Sequence, residues 1–175
     1  MSENITHSGM DFLGAGAFHI EKSPQYSALR GKGIKSVEFI RPKGRKLFFV
    51  EAKSSFPNPD GCAPNPDKGN KTGGELFEDE IDDVCQKFVH SLNLYAAIAT
   101  GAAKGGLPPE FAPPDRFSVV FALVIARHAA RWCRPTEKAI ISKIREASAF
   151  QKIWTPEVAV MNHEKAKACG LAVPG

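Results

Sequence analysis

The chain has 175 residues, 43% of them hydrophobic and 24% charged, which is ordinary globular composition and enough length for one well-buried core. A formal net charge of +4 and a pI near 8.9 permit a polyanionic partner without demanding one. No stretch approaches the roughly 18 to 20 uninterrupted apolar residues of a membrane helix, and the opening MSENITHSGM lacks the charged-then-apolar order of a signal peptide. A cytoplasmic protein of a single α/β domain, with no membrane partner, is expected.

In chain order, the residues up to about Gly16 show no strong periodicity, and a short helix around Met10 to Gly14 is the nearest regular reading. AFHIEKS (17–23) alternates as a short strand, ended by Pro24. SALRGKG is a turn-rich connection. IKSVEFI and KLFFVEAKS then read as two strands of a leading antiparallel hairpin, with Pro and Gly of RPKGRK supplying the reversal. From Ser54 to Gly74 the composition shifts to a long Pro/Gly/Asn-rich loop in which PNPD occurs twice, and a loop of this length in a compact domain is usually functional or disordered.

ELFEDEIDDVCQKFVHSLNLYAAIATG follows as a long amphipathic helix, with Ile81, Val84, Cys85, Phe88, Leu92, Tyr95 and Ala96 at helical spacing. Acids crowd its first turns, where the helix dipole favours them. FSVVFALVIAR suits a strand buried on both faces. Thr136 caps a further helix, TEKAIISKIREASAF, after Pro135. PEVAVM is a short strand, and NHEKAKAC a last helix with Asn162 as cap and Gly170 as stop. The order predicts a mixed β-sheet flanked by helices, in which the long helix carries the chain between two parallel strands. Cys62, Cys85, Cys133 and Cys169 form no C-x-x-C pair, so reduced thiols are expected rather than a zinc site or a disulfide framework. His19, His90, His128 and His163 lack metal-ligand spacing.

Three charges in the hairpin ask for an explanation. Side chains alternate across a strand, so Glu51 and Lys53 share a face with Leu47 and Phe49. If the reversal centres on Lys43 and Gly44, Glu38 faces Phe49 and becomes a diagonal neighbour of Glu51 on that same face. One reading is a solvated face with a Glu–Lys salt bridge worth under about 1 kcal/mol. The other is a site, favoured because Phe49 shares the face and helices are expected to cover it, and buried charges without a task are rare. Two neighbouring carboxylates accept a divalent metal between them, since Mg²⁺ takes one or two carboxylates plus waters. A lysine beside them orients a nucleophile or stabilises charge on a phosphate. Seven cations and one acid lie between Arg30 and Lys46, which raises the local potential around the turn.

Glu38, the hairpin, and Glu51-Ala52-Lys53 resemble the PD-(D/E)XK (restriction-endonuclease-like) nuclease superfamily, in which an acid on one strand and an acid-x-lysine on the next bind Mg²⁺ and cut phosphodiesters. The first acid is usually aspartate there and is glutamate here. The resemblance implies a restriction-endonuclease-like fold over roughly residues 10–126 and a Mg²⁺-dependent (alternatively Mn²⁺-dependent) nuclease, with Glu38 and Glu51 as metal ligands and Lys53 as the third catalytic residue. Arg41, Lys43, Arg45 and Lys46 of the turn, together with Lys87, would hold nucleic acid, DNA or RNA, and the 57–67 loop would help hold or gate it. Glu21 and Gln86 are accessory candidates: relatives often add a helix acid, to which Glu21 is nearest, and a Gln or Lys on the helix after the acid-x-lysine strand. The alternatives are a catalytically inactive nuclease-like fold acting as a nucleic-acid or protein binding module, and a subunit that binds a partner through its proline-rich loop. A homodimer stays open.

Overall fold

The computed structural model describes residues 4–61, 65–103, 105–111, 118–146 and 153–174. The chain opens with an antiparallel hairpin, β1 (Ile5–His7) and β2 (Met10–Phe12), where the sequence suggested a short helix. The reason lies in the turn: Ser8 and Gly9 both take positive φ, 52° and 74°, which suits a two-residue hairpin reversal. Residues 17–23 are not a strand either. Phe18 makes a single bridge to Ile40, Ile20–Lys22 forms a 3₁₀ turn, and the Ser23 hydroxyl then accepts from the Tyr26 N–H to cap α1 (Pro24–Leu29). Pro24 occupies the first helical position, where its missing N–H costs nothing.

Strands β3 (Phe39–Lys43) and β4 (Lys46–Lys53) pair antiparallel around a two-residue turn, Gly44-Arg45. The first strand is shorter than IKSVEFI suggested and runs further into the basic segment. The register pairs Lys43 with Lys46 and Phe39 with Val50, one residue later than the reversal assumed from sequence. The ladder ends there: the Glu38 N–H donates to the Val50 carbonyl at 3.0 Å, so Glu38 and Phe39 both lie against Val50, a one-residue bulge, and Glu38 does not face Phe49. The bulge breaks the alternation assumed from sequence: Val37 and Ile40 both pack on the α2 side, and the Glu38 carboxylate turns to the other side to meet His7, so Glu38 does not share the face of Glu51 and Lys53.

From β4 the chain passes through loop 54–72 to α2 (Gly73–Ala99), then to β5 (Ser118–Ile125), α3 (Ala130–Glu146), β6 (Glu157–Asn162) and α4 (His163–Ala168). β5 lies parallel to β4, and β6 parallel to β5, giving a four-stranded mixed sheet in the order β3-β4-β5-β6. The helix expected from Thr136 begins six residues earlier, at Ala130, and carries Pro135 within it. Thr136 is buried inside this helix and donates its hydroxyl to the Trp132 carbonyl instead of capping. Residues 147–150 at its expected end lie outside the described residues.

Each face of the sheet carries its own core. Ile40, Leu47, Phe49, Phe121, Leu123 and Val160 pack against α2 and α3, with Phe88 of α2 stacked on Phe121 at a centroid distance of 4.6 Å. Phe39, Val50, Ala52, Ala122, Val124 and Met161 pack against Met10 and Phe12 of the hairpin, Ala166 of α4 and Leu171. β5 is therefore covered on both sides, as its unbroken apolar run requires. Among the described residues no helix is long and apolar enough to cross a membrane.

Candidate functional site

The C-terminal end of β4 carries Glu51 and Lys53 on the face covered by α2. Two devices fix α2 there. A capping box joins Thr72 and Glu75: the Thr72 hydroxyl accepts from the Glu75 N–H, and the Glu75 carboxylate accepts from the Thr72 N–H at 2.7 Å. The apolar stripe of Phe77, Ile81, Val84, Phe88, Leu92 and Tyr95 then turns inward. Glu80, Asp83 and Lys87, spaced i, i+3 and i+7, form a charged stripe beside it that meets the end of β4.

The segment before β3 is tied to the same helix. The Lys35 N–H donates to His90 Nδ1 at 3.1 Å and the Val37 N–H to Ser91 Oγ at 2.9 Å, which places Glu38 at the sheet margin. On the opposite side the first hairpin docks through the Ser8 hydroxyl, which donates to the Ala52 carbonyl. His7 Nδ1 lies 2.9 Å from Glu38 Oε2, and His19 Nδ1 lies 3.2 Å from the Glu38 carbonyl.

Glu51 is fully buried. Lys87 Nζ donates to its Oε1 at 2.5 Å and Lys53 Nζ stands 3.8 Å from the same oxygen, while Oε2 has no hydrogen-bond partner among the described residues. Burial pushes the Glu51 carboxyl up to about 7 despite the pull of Lys87, and the Glu38 charge adds to the rise. Lys53 Nζ also meets Glu80 Oε2 at 2.9 Å and Asp83 Oδ2 at 3.3 Å. Burial works against its charge, but Glu80, Glu51 and Asp83 together outweigh it and raise the Lys53 pKa, so the group stays an ammonium. Asp83 is completed by Lys35, 2.8 Å from Oδ1; burial opposes its charge, but the three lysines outweigh that and hold its pKa below the usual aspartate value.

The structure thus brings Glu38, Glu51, Lys53 and Lys87 to one end of the sheet, and separates them from the other candidates. The basic turn is at the opposite end of β4, about 16 Å from Glu51 at roughly 3.3 Å per residue. There Lys46 pairs with Glu157 at 2.6 Å, Lys43 contacts the Cys169 carbonyl, and Arg45 is exposed. Arg41 lies on the far face, with one guanidinium nitrogen buried and without a partner among the described residues. Gln86 points away, lining a shallow groove with Cys85 and Lys143 between α2 and α3. Glu21 sits on the 3₁₀ turn and lines a cleft of about 570 Å³ with His7, His19 and Lys22, on the Glu38 side of the site. A second cleft of about 370 Å³, on the Lys53 side, is lined by Ser55, Phe56, Asn65, Lys68 and Glu80, so part of the Pro/Asn-rich loop borders the site as well. Residues 62–64 of that loop lie outside the described residues.

His7, Glu80 and Asp83 were not among the candidates. Glu80 and Asp83 were read as helix-dipole acids, although their spacing with Lys87 carried the signal. No group of three His, Cys, Asp or Glu side chains suited to a metal ion occurs among the described residues. Of the cysteines, Cys85, Cys133 and Cys169 are free thiols. Comparison with protein families, with curated proteins and with solved structures finds no match to this chain. What stands is the architecture: a mixed α/β protein with a two-stranded antiparallel sheet and a four-stranded mixed sheet flanked by helices.

Proposed function

We propose that the chain is a divergent restriction-endonuclease-like protein that hydrolyses nucleic-acid phosphodiesters with Mg²⁺ or Mn²⁺ at the Glu38–Glu51–Lys53 end of the sheet. The observation that carries this reading is the convergence of Glu51, Lys53 and Lys87 from the acid-x-lysine strand and the helix after it, with Glu38 at the same end of the sheet. The strand order supports it too: an antiparallel hairpin, a long helix, and a strand parallel to the second hairpin strand.

The unpartnered Oε2 of Glu51 fits a hard divalent cation, which takes one or two carboxylates and fills its other positions with water, and Glu38, whose charge reaches Glu51, is the second candidate carboxylate. When bound, such an ion supplies Lewis-acid polarisation of a phosphate oxygen and lowers the pKa of a water. Lys53 contributes a fixed positive charge. Against the effect of burial, the neighbouring Glu80, Glu51 and Asp83 raise its pKa, which suits it to donate to a phosphate oxygen as negative charge develops. The clefts on either side of the site, one lined by His19 and Lys22 and the other by Asn65 and Lys68, offer routes for a strand.

The test is cleavage of single-stranded and duplex oligonucleotides with and without Mg²⁺ or Mn²⁺, together with calorimetric titration of each ion. Cleavage is expected only with metal, and Glu51→Gln should lower its rate at least about 100-fold, the usual scale for losing an electrostatic catalytic group, with the circular-dichroism spectrum unchanged. Absence of both metal binding and cleavage overturns the proposal. One observation favours a second reading, a catalytically silent module of the same architecture: each carboxylate already has a basic partner, Lys87 on Glu51 and His7 on Glu38. Nucleic-acid binding that is indifferent to metal and to Glu51→Gln is the outcome that reading expects.

A further inference from the structure

We propose that Lys87 is an exchangeable internal cation of the Glu51 site: it holds Glu51 when no divalent ion is present and passes to Asp83 when one enters. This rests on the metal-binding reading above and adds the means by which the site is kept closed without metal.

Three facts carry it. Glu51 is fully buried, and a buried carboxylate needs a cation or a proton. The nearest cation is Lys87, at 2.5 Å from Oε1, whereas Lys53 is engaged with Glu80 and Asp83 and stands 3.8 Å away. Lys87 already has a second acceptor within reach, since its Nζ lies 3.9 Å from Asp83 Oδ2, one helical turn back on the same face. Exchange between the two acceptors therefore requires only rotation about the lysine's own side-chain bonds, with α2 in place. The side chain is about one-fifth exposed, so the move leads toward solvent rather than through the core.

The thermodynamic consequence is competition. A divalent ion and Lys87 compensate the same carboxylate, so each weakens the other by the same factor. Removing Lys87 should tighten metal binding, and metal should loosen Lys87 from Glu51. Lys35 supplies the control: it belongs to the same network through Asp83, carries the same charge, and does not touch Glu51.

The experiment uses Mg²⁺ as the probe, titrated calorimetrically into the full chain, with Mn²⁺ in parallel. Lys87→Met is expected to bind Mg²⁺ about tenfold more tightly than the unaltered chain, and Lys35→Met to stay within about twofold. A second measurement needs no variant: acetic-anhydride labelling of the unaltered chain, read by mass spectrometry, should modify Lys87 several-fold faster when Mg²⁺ is saturating. If Mg²⁺ binds but Lys87→Met binds it no more tightly, or if Lys87 labelling is the same with and without saturating ion, the exchange is overturned while the metal site stands. If neither the unaltered chain nor Lys87→Met binds Mg²⁺ or Mn²⁺, the metal site falls and the exchange with it.

Discussion

Glu51 concentrates the energetics of the site in one carboxyl group. Its folded pKa of about 7 lies above the ordinary 4.5, so the folded state prefers the protonated form. A raised pKa contributes stability in full below about pH 4.5, where both states are protonated, and that contribution is lost as pH climbs through about 7. The shift corresponds to about 3 kcal/mol. His19, His90 and His128 act in the opposite sense over part of the same range, because burial lowers their pKa values and charging them in acid favours unfolding. The informative quantity is therefore the difference between the unaltered chain and Glu51→Gln. In metal-free buffer, urea unfolding should show the unaltered chain losing up to about 3 kcal/mol relative to Glu51→Gln between about pH 4.5 and pH 8. Parallel curves for the two proteins would mean that Glu51 does not titrate in this window.

Among the elements, α2 decides the site, because it supplies Glu80, Asp83 and Lys87 and covers Glu51. Its start is set by the Thr72–Glu75 capping box and by Gly73, where a Cβ would stand 2.7 Å from the Asn58 carbonyl oxygen and 2.8 Å from Gly61 Cα. Thr72→Ala should cost about 1 kcal/mol in chemical denaturation; a cost near zero would show that packing alone holds the first turn. α2 and β5 were legible in the sequence because long apolar patterns dominate local detail. The hairpin and the shared face of Glu51 and Lys53 were legible for the same reason, whereas Glu38 was misplaced because nothing local marks the bulge that turns it toward His7. Shorter elements were not. β1 and β2 are three residues each, too brief for a period to register, and losing them hid His7. Pro135 read as a helix start because nothing local showed that buried Thr136 would bond back to Trp132. Sequence spacing put Lys87 beside Gln86 as a pair, but only the rotation of α2 against β4 separates the lysine that reaches Glu51 from the glutamine that faces the α3 groove.

At the scale of the whole molecule, the basic turn and the candidate chemistry occupy opposite ends of one strand. β4 runs from the basic turn at Lys46 to the acid-x-lysine at Glu51–Lys53, about 16 Å apart for Lys46 to Glu51 at roughly 3.3 Å per residue. At about 3.4 Å per phosphate on one strand, that distance corresponds to about five phosphates. The turn can therefore take part in binding only for a substrate long enough to reach both ends. Within it, Lys46 is engaged by Glu157 and Lys43 by the Cys169 carbonyl, whereas Arg45 is exposed and makes no ion pair among the described residues. Arg45→Glu should thus weaken binding of duplexes of about ten base pairs or more several-fold and reduce the slope of log affinity against log salt by about 1. Dinucleotides, too short to span the distance, should be cleaved at an unchanged rate, and Mg²⁺ affinity should not move. An equal loss on dinucleotides and duplexes would place the effect of Arg45 on folding or on the site itself. No loss on either would confine nucleic acid to the clefts beside Glu38 and Lys53.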